Sequence, residues 1–277
     1  MNIRLLARDL DGTVLRSDNT LAPDVRQALL NAAASGIEVA VASGRPFGSM
    51  PREILALPDI RWVIASNGAA IYENGRRVHA DTLREADVLR VLKLTRHHDL
   101  IWEAFAEGET CTDKRYYDNP TRYGCSAAYV SYVRGSREAC EDMRGYIFQN
   151  RHRLDSIEFV STDRQLREAL WKQMEESLDS VYITSSSAHF VELMNATATK
   201  ANALQWLADR LGIDIKNTAA AGNADNDADM LLHAGIGAAV ANGTPRCLAA
   251  ADKILPANDE GGVRVWIEEL LRAPLKI

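Results

Sequence analysis

The chain is short of the features that mark several large functional classes. Its four cysteines, Cys111, Cys125, Cys140 and Cys247, show no C-x-x-C spacing and no nearby histidine pairing, so zinc and thiol-redox motifs are unsupported. They read as ordinary reduced thiols. Basic charge is not in excess: the net charge of -6 gives no electrostatic ground for binding nucleic acid or an anionic membrane. No apolar run approaches bilayer-spanning length, and residues 1–15 lack the basic start and long apolar middle of a signal peptide. The expected setting is therefore cytoplasmic, with no membrane partner. No G-x-G-x-x-G opens a helix after the first strand, which argues against a dinucleotide-dependent oxidoreductase. Internal repeats and low-complexity segments are also missing. The 277 residues, 47% hydrophobic and 25% charged, suit a globular protein with one large α/β unit or two modest domains.

Against that plain background one segment stands out, Asp9-Leu10-Asp11-Gly12-Thr13. The preceding Ile3-Arg4-Leu5-Leu6-Ala7 reads as a buried parallel strand that Gly12 breaks. Side chains two apart on a strand share a face, so Asp9 and Asp11 converge at its carboxyl end, where ligands bind in open parallel sheets. Adjacent carboxylates cost energy unless a cation lies between them or one holds a proton. Asp-Gly is also a common surface turn, and the pentapeptide alone does not separate the two readings.

The rest of the chain supplies a pattern of strands ending in small polar loops. A helix is expected from Pro23 to Ala34 and strands at Ile37–Ala42 and Trp62–Ala65, ending at Ser43-Gly44-Arg45-Pro46 and Ser66-Asn67-Gly68. Asn74-Gly75 marks a hairpin. The texture then changes, with an alternating, strand-like segment at Ala127–Val133 and helices near 83–98, 136–149 and 163–177. The parallel-sheet texture returns after His189, with a helix at Thr199–Leu211, short strands at Asn217–Ala221 and Ile236–Val240, and a last helix near Val263–Leu271. This predicts an α/β fold, a Rossmann-like parallel-sheet core (residues 1–81 and 189–277) with an inserted α+β cap at 82–188.

Four features fall in order: Asp9/Asp11, Ser43, Lys200 and the loop Gly222-Asn223-Ala224-Asp225-Asn226-Asp227. Ser43 alone would be a turn residue and Lys200 alone a surface lysine; their order around the aspartate pair reverses both readings. This arrangement resembles the haloacid dehalogenase superfamily of phosphatases, in the Cof-type branch with a large cap between the second and third motifs. Ala42-Ser43-Gly44-Arg45-Pro46, Ser66-Asn67-Gly68-Ala69, Ala203-Leu204 after Lys200, and Met230-Leu231 after Asn226-Asp227 support it. The resemblance implies a Mg²⁺-dependent phosphatase in which Asp9 is the nucleophile, Asp11 the general acid and base, and Ser43 and Lys200 bind the phosphoryl group. It implies substrate contacts from Gly12, Gly44, Arg45, Asn67 and Asn226, and metal binding by Asp9, Asp11 through its carbonyl, Asn223 and Asp227. The implied partner is a small phosphorylated metabolite such as a sugar phosphate, handled by a monomer or homodimer.

Three positions depart from the family pattern. Asn223 stands where relatives carry a metal-binding aspartate, so the site has one negative charge fewer and a weaker hold on a hard cation. This motivates a second reading, a catalytically weakened protein that binds a phosphorylated ligand or partner; transfer to another acceptor, as in a mutase, is a third. Arg8 precedes the nucleophile on the opposite strand face and is expected to be structural or on the surface, and Ala201 replaces a glycine harmlessly. Arg45 has a structural ion pair as an equal alternative to substrate contact. Lys114-Arg115-Tyr116-Tyr117 reads as a solvated strand end with packed tyrosines in preference to a substrate patch. His97, His98 and His189 match no metal spacing.

Overall fold

The computed structural model describes residues 2–58, 60–185 and 189–272. Along the chain come β1 (Leu5–Arg8), α1 (Pro23–Ala34), β2 (Glu38–Ala42), α2 (Arg52–Leu55), β3 (Trp62–Ala65), β4 (Ala70–Glu73) and β5 (Arg76–Ala80). There follow α3 (Glu85–Leu94), β6 (Ile101–Ala106), β7 (Glu109–Asp113), α4 (Lys114–Asp118), α5 (Val130–Ser136), β8 (Glu138–Cys140), α6 (Met143–Asn150), β9 (Leu154–Val160), α7 (Arg164–Glu175), β10 (Val181–Thr184) and β11 (Phe190–Asn195). The chain closes with α8 (Lys200–Leu211), β12 (Thr218–Gly222), α9 (Asp225–His233), β13 (Ile236–Val240), α10 (Pro245–Ala250), β14 (Lys253–Leu255) and α11 (Gly262–Arg272). No helix among the described residues is long and apolar enough to cross a membrane.

Two compact units result. The first takes the residues up to Gly44, Met50–Val78, and those from Thr199 onward. Its sheet has the order β14-β13-β12-β1-β2-β3-β4-β5, parallel from β14 to β3. Strand β4 turns back antiparallel on β3, and Asn74 and Gly75, both at positive φ, form the hairpin tip. The chain leaves β1 toward β2 on one side and returns through β12 on the other, the topology that opens a crevice at strand carboxyl ends. The central strands are short and rich in alanine, such as Thr218-Ala219-Ala220-Ala221-Gly222. Small side chains there let α8, α9 and α10 pack closely, burying Leu204, Leu207, Met230, Leu231 and Cys247 against Leu5, Trp62 and Ile64.

The second unit comprises Arg45–Ser49 and His79–Ala198. Its six-stranded sheet, β10-β11-β9-β6-β7-β8, is antiparallel except for β7 with β8. Helices α3, α6 and α7 cover one face, with Val88, Ile147, Leu170 and Met174 packed on Trp102, Ile157 and Phe159. The other face carries Glu103, Glu158 and Glu192 in one cross-strand row, all buried.

Several expectations change. Residues from 189 onward are expected in the core, but 190–195 form β11, which pairs with β9 and β10 in the second sheet. The structural division therefore falls after Ala198, whereas the expected boundary residue, 188, lies outside the described residues. Ala127–Val133 is helical, in a 3-10 turn and α5, where the buried Val133 anchors it. The 136–149 stretch is strand β8 followed by α6. Lys114-Arg115-Tyr116-Tyr117 lies in α4, where Lys114 pairs with Asp118, Arg115 pairs with Asp99 and Asp113, and Tyr116 is buried.

Candidate active site

The site is built where β1, β2, β3 and β12 end. Asp9 follows β1 directly, in extended conformation and 6% exposed, its amide bonded to the Ala221 carbonyl. Residues Leu10–Val14 then form one wide turn with Asp11 extended and Gly12 at φ 75°, so a turn and not the strand itself carries Asp11. A side chain at Gly12 would also meet Asn223, whose Nδ2 lies 2.6 Å from the position of a Cβ atom.

Lys200 opens α8, a helix capped by the Thr199 hydroxyl accepting from the Asn202 amide. The lysine is fully enclosed: Nζ donates to Asp9 Oδ1 at 2.8 Å and to Asp227 Oδ1 at 2.6 Å. Asp227 Oδ2 accepts the amides of Asn223 and Ala224, both at 3.0 Å, which fixes the loop after β12. Burial alone would lower the Lys200 ammonium, but Asp227 and Asp9 hold it above its ordinary value. Burial is also the largest effect on Asp9. Together with the charges of Asp227 and Asp11, it pushes the Asp9 carboxyl up to about 7 against the pull of Lys200.

Thr13 Oγ links the acids to the amide that departs from the family pattern, lying 2.9 Å from Asp9 Oδ2 and 3.0 Å from Asn223 Oδ1. One hydroxyl carries one proton, so it satisfies only one of these acceptors at a time. Asp9 and Asp227 share one ammonium, and the Asp11 carboxyl acts on Asp9 from the adjoining turn, a surplus of acidic oxygens that fits a hard divalent cation. The donors available are Asp9, the Asp11 carbonyl and Asn223; both oxygens of Asp227 already serve Lys200 and the loop amides. No group of three His, Cys, Asp or Glu side chains suited to a metal occurs among the described residues.

The remaining expected residues divide. Ser43 is buried at the end of β2, its amide bonded to Ile64 and its carbonyl to the Asn67 amide. Asn67, at φ 56°, accepts from Asn226 Nδ2 at 2.8 Å, and Gly44 runs close beside its Oδ1. Next to it Gly68, at φ 107°, passes so near the Thr199 carbonyl that a Cβ atom would lie 2.3 Å from it. Asn226 Oδ1 is buried with no hydrogen-bond partner among the described residues. Arg45 belongs to the second unit, where its guanidinium lies 4.5 Å over the Tyr132 ring.

Thr13, Asn242 and Thr244 take part without having been singled out from sequence. Asn242 Nδ2 donates to the Gly12 carbonyl at 2.8 Å, and the Thr244 amide to the Asn223 carbonyl at 2.7 Å. The signal was there, since Asn242-Gly243 is another polar glycine loop ending a parallel strand.

The profile of haloacid dehalogenase-like hydrolases matches residues 6–267. The chain belongs to the haloacid dehalogenase-like hydrolase family. Phosphatase YwpJ of Bacillus subtilis is 30% identical to it, over 97% of this chain and 100% of that protein. The 5-amino-6-(5-phospho-D-ribitylamino)uracil phosphatase YwtE of the same bacterium is 23% identical, over 97% and 98%. A solved haloacid dehalogenase-like hydrolase from B. subtilis superposes with a TM-score of 0.83 at 29% identity, covering 97% of this chain and 100% of that one. The chain is thus an enzyme of the phosphoric monoester hydrolase class within this family, on the α/β fold its strand pattern predicts.

Proposed function

We propose that this hydrolase is a Mg²⁺-dependent phosphatase of small phosphorylated metabolites, sugar phosphates or similar monoesters, acting through an aspartyl-phosphate. The observation that carries the reading is the buried Lys200 ammonium joining Asp9 to Asp227. With Oδ1 held by Lys200, Oδ2 of Asp9, which shares the Thr13 hydroxyl with Asn223, attacks phosphorus. As that bond forms, the bond to the ester oxygen breaks, and Asp11 gives its proton to the leaving alcohol. Water then attacks the phosphorus, passes a proton back to Asp11, and frees inorganic phosphate and the Asp9 carboxylate. Lys200 and the Ser43 hydroxyl offset charge on the phosphoryl oxygens, where phosphoryl transfer draws most of its acceleration. Gly12, Gly44, Asn67 and Asn226 shape the pocket around the transferred group, and the choice of substrate falls to Arg45 and the inserted residues 82–188. Mg²⁺, held by Asp9, the Asp11 carbonyl and Asn223, would neutralise phosphate charge and lower the Asp9 carboxyl into its ionised form.

Asn223 favours a second reading, a phosphate-binding protein of weak turnover, because it removes one carboxylate from the metal's surroundings. Hydrolysis of an aryl phosphate with and without Mg²⁺, beside Asp9→Asn, separates the two. Metal-dependent release of phosphate that Asp9→Asn abolishes supports the phosphatase. Tight phosphate binding without turnover supports the second reading, and product analysis with excess acceptor alcohol distinguishes hydrolysis from transfer.

A further inference from the structure

A cavity of about 660 Å³ lies in the first unit, between the β4–β5 hairpin and the second half of α8. Arg76, Arg77, Arg210 and Trp206 line it, with Asn74 and a single carboxylate, Glu73. Its volume is in the range of small-ligand sites. The cavity is separate from the catalytic residues by topology. Strand β4 runs back from the carboxyl end of β3, so the hairpin tip lies at the amino end of the parallel strands, opposite the end where Asp9 lies. Trp206 and Arg210 follow Lys200 along α8, about 9 and 15 Å further down the helix axis at the usual rise.

The charge balance here runs against that of the whole chain. Arg76 and Arg210 bring two guanidiniums to a lining with one carboxylate, in a protein whose net charge is -6. Arginines on β5 alone would be explained by its place at the sheet edge, where charge discourages strand pairing. That does not account for Arg210, which α8 brings to the same cavity. Arg76 and Arg210 make no ion pair or side-chain hydrogen bond among the described residues. Grouping like charges costs energy that a bound anion recovers. Guanidinium forks match phosphate oxygens, and the half-buried Trp206 indole offers a flat partner for a ring.

We propose that this cavity is a second ligand site, for a nucleoside monophosphate: phosphate on the arginines and base against Trp206. The assignment does not depend on the phosphatase reading.

The test uses full-length protein carrying Asp9→Asn, so that no ligand is turned over. AMP, adenosine and inorganic phosphate are titrated by calorimetry, with and without the added pair Arg76→Ser/Arg210→Ser. AMP is expected to bind the parent, and the pair to weaken it by about tenfold or more, as loss of charge-assisted hydrogen bonds to phosphate predicts. Trp206→Phe is expected to weaken AMP but not phosphate. Introduced into the wild-type chain, with Asp9 intact, the pair leaves aryl phosphate hydrolysis unchanged. An AMP affinity that the pair does not alter overturns the proposal, as does adenosine or inorganic phosphate binding as tightly as AMP. Should the pair fail to fold, Arg210→Glu on its exposed helix face makes the same comparison.

Discussion

The Lys200 ammonium lies closer to Asp227, at 2.6 Å, than to Asp9, at 2.8 Å. Asp227 is wholly buried and its other oxygen anchors two loop amides, so it acts by holding Lys200 and the loop in place. Asp227→Ala leaves the buried ammonium with Asp9 alone and two loop amides without an acceptor. It is expected to cost about 3 kcal/mol or more of stability, in line with the loss of one partner from a buried ion pair. Urea unfolding of the purified variant measures it; a loss within experimental error would mean that water replaces the carboxylate without penalty.

Asn223→Asp restores a carboxylate beside Asp9 and Thr13. In a site that already has a surplus of negative charge it should destabilise the metal-free protein while tightening its hold on Mg²⁺. The half-activating Mg²⁺ concentration in aryl phosphate hydrolysis is expected to fall by roughly tenfold, since ligand charge sets affinity for hard cations. An unchanged metal requirement would place the ion away from residue 223.

Much of this site was legible because its residues sit at strand ends, where a buried apolar run stops at a glycine and polar residues follow. Asp9, Ser43, Asn67 and Asn223 all obey that rule, and the order of the motifs identified Lys200 on the following helix. The turn Leu10–Val14 was not legible, because the local pattern shows two aspartates but not the five-residue loop that Gly12 permits. Nor was the role of Thr13, which depends on a residue 210 positions away. The second unit was harder still. Its polar sheet face and small anchoring contacts, such as Val133, leave weak periodicity, so α5 passed for a strand and β11 for part of the core.

Arg8 is structural, as its strand position predicts, yet far from the surface. It is 0% exposed, and only Nη1 is satisfied, by the Ala40 carbonyl at 3.0 Å. Burial presses its guanidinium down to about 9. A buried cation with unmet donors is a stability cost, and an apolar side chain of similar length removes it. Arg8→Met is expected to raise the unfolding free energy by about 1–3 kcal/mol. A denaturant midpoint that falls instead would show that Arg8 has a compensating partner in solution.

The carboxylates Glu103 and Glu158 stand opposite each other on β6 and β9, with Glu192 next in the row and Arg137 the cation paired with Glu103. Burial, and then the charges of Glu103 and Glu192, raise Glu158 well above its ordinary 4.5. Burial alone would raise Glu103 too, but Arg137 and the hydrogen bond with Glu158 hold it below the usual range. The signs are opposite. The favourable effect of ionised Glu103 is lost only as pH falls below about 4.5, whereas the protonated Glu158 favours folding at low pH and loses that effect as pH rises above it. As pH rises above about 4.5 the wild type should therefore lose stability through Glu158, at up to about 1.4 kcal/mol per pH unit, until the folded-state acid ionises. Glu158→Gln, which keeps the shape of the protonated acid, should remove this slope and gain on the wild type as pH rises. Urea unfolding at pH 5, 6.5 and 8 checks it. A difference that stays constant with pH would mean that the row shares no proton in the folded state.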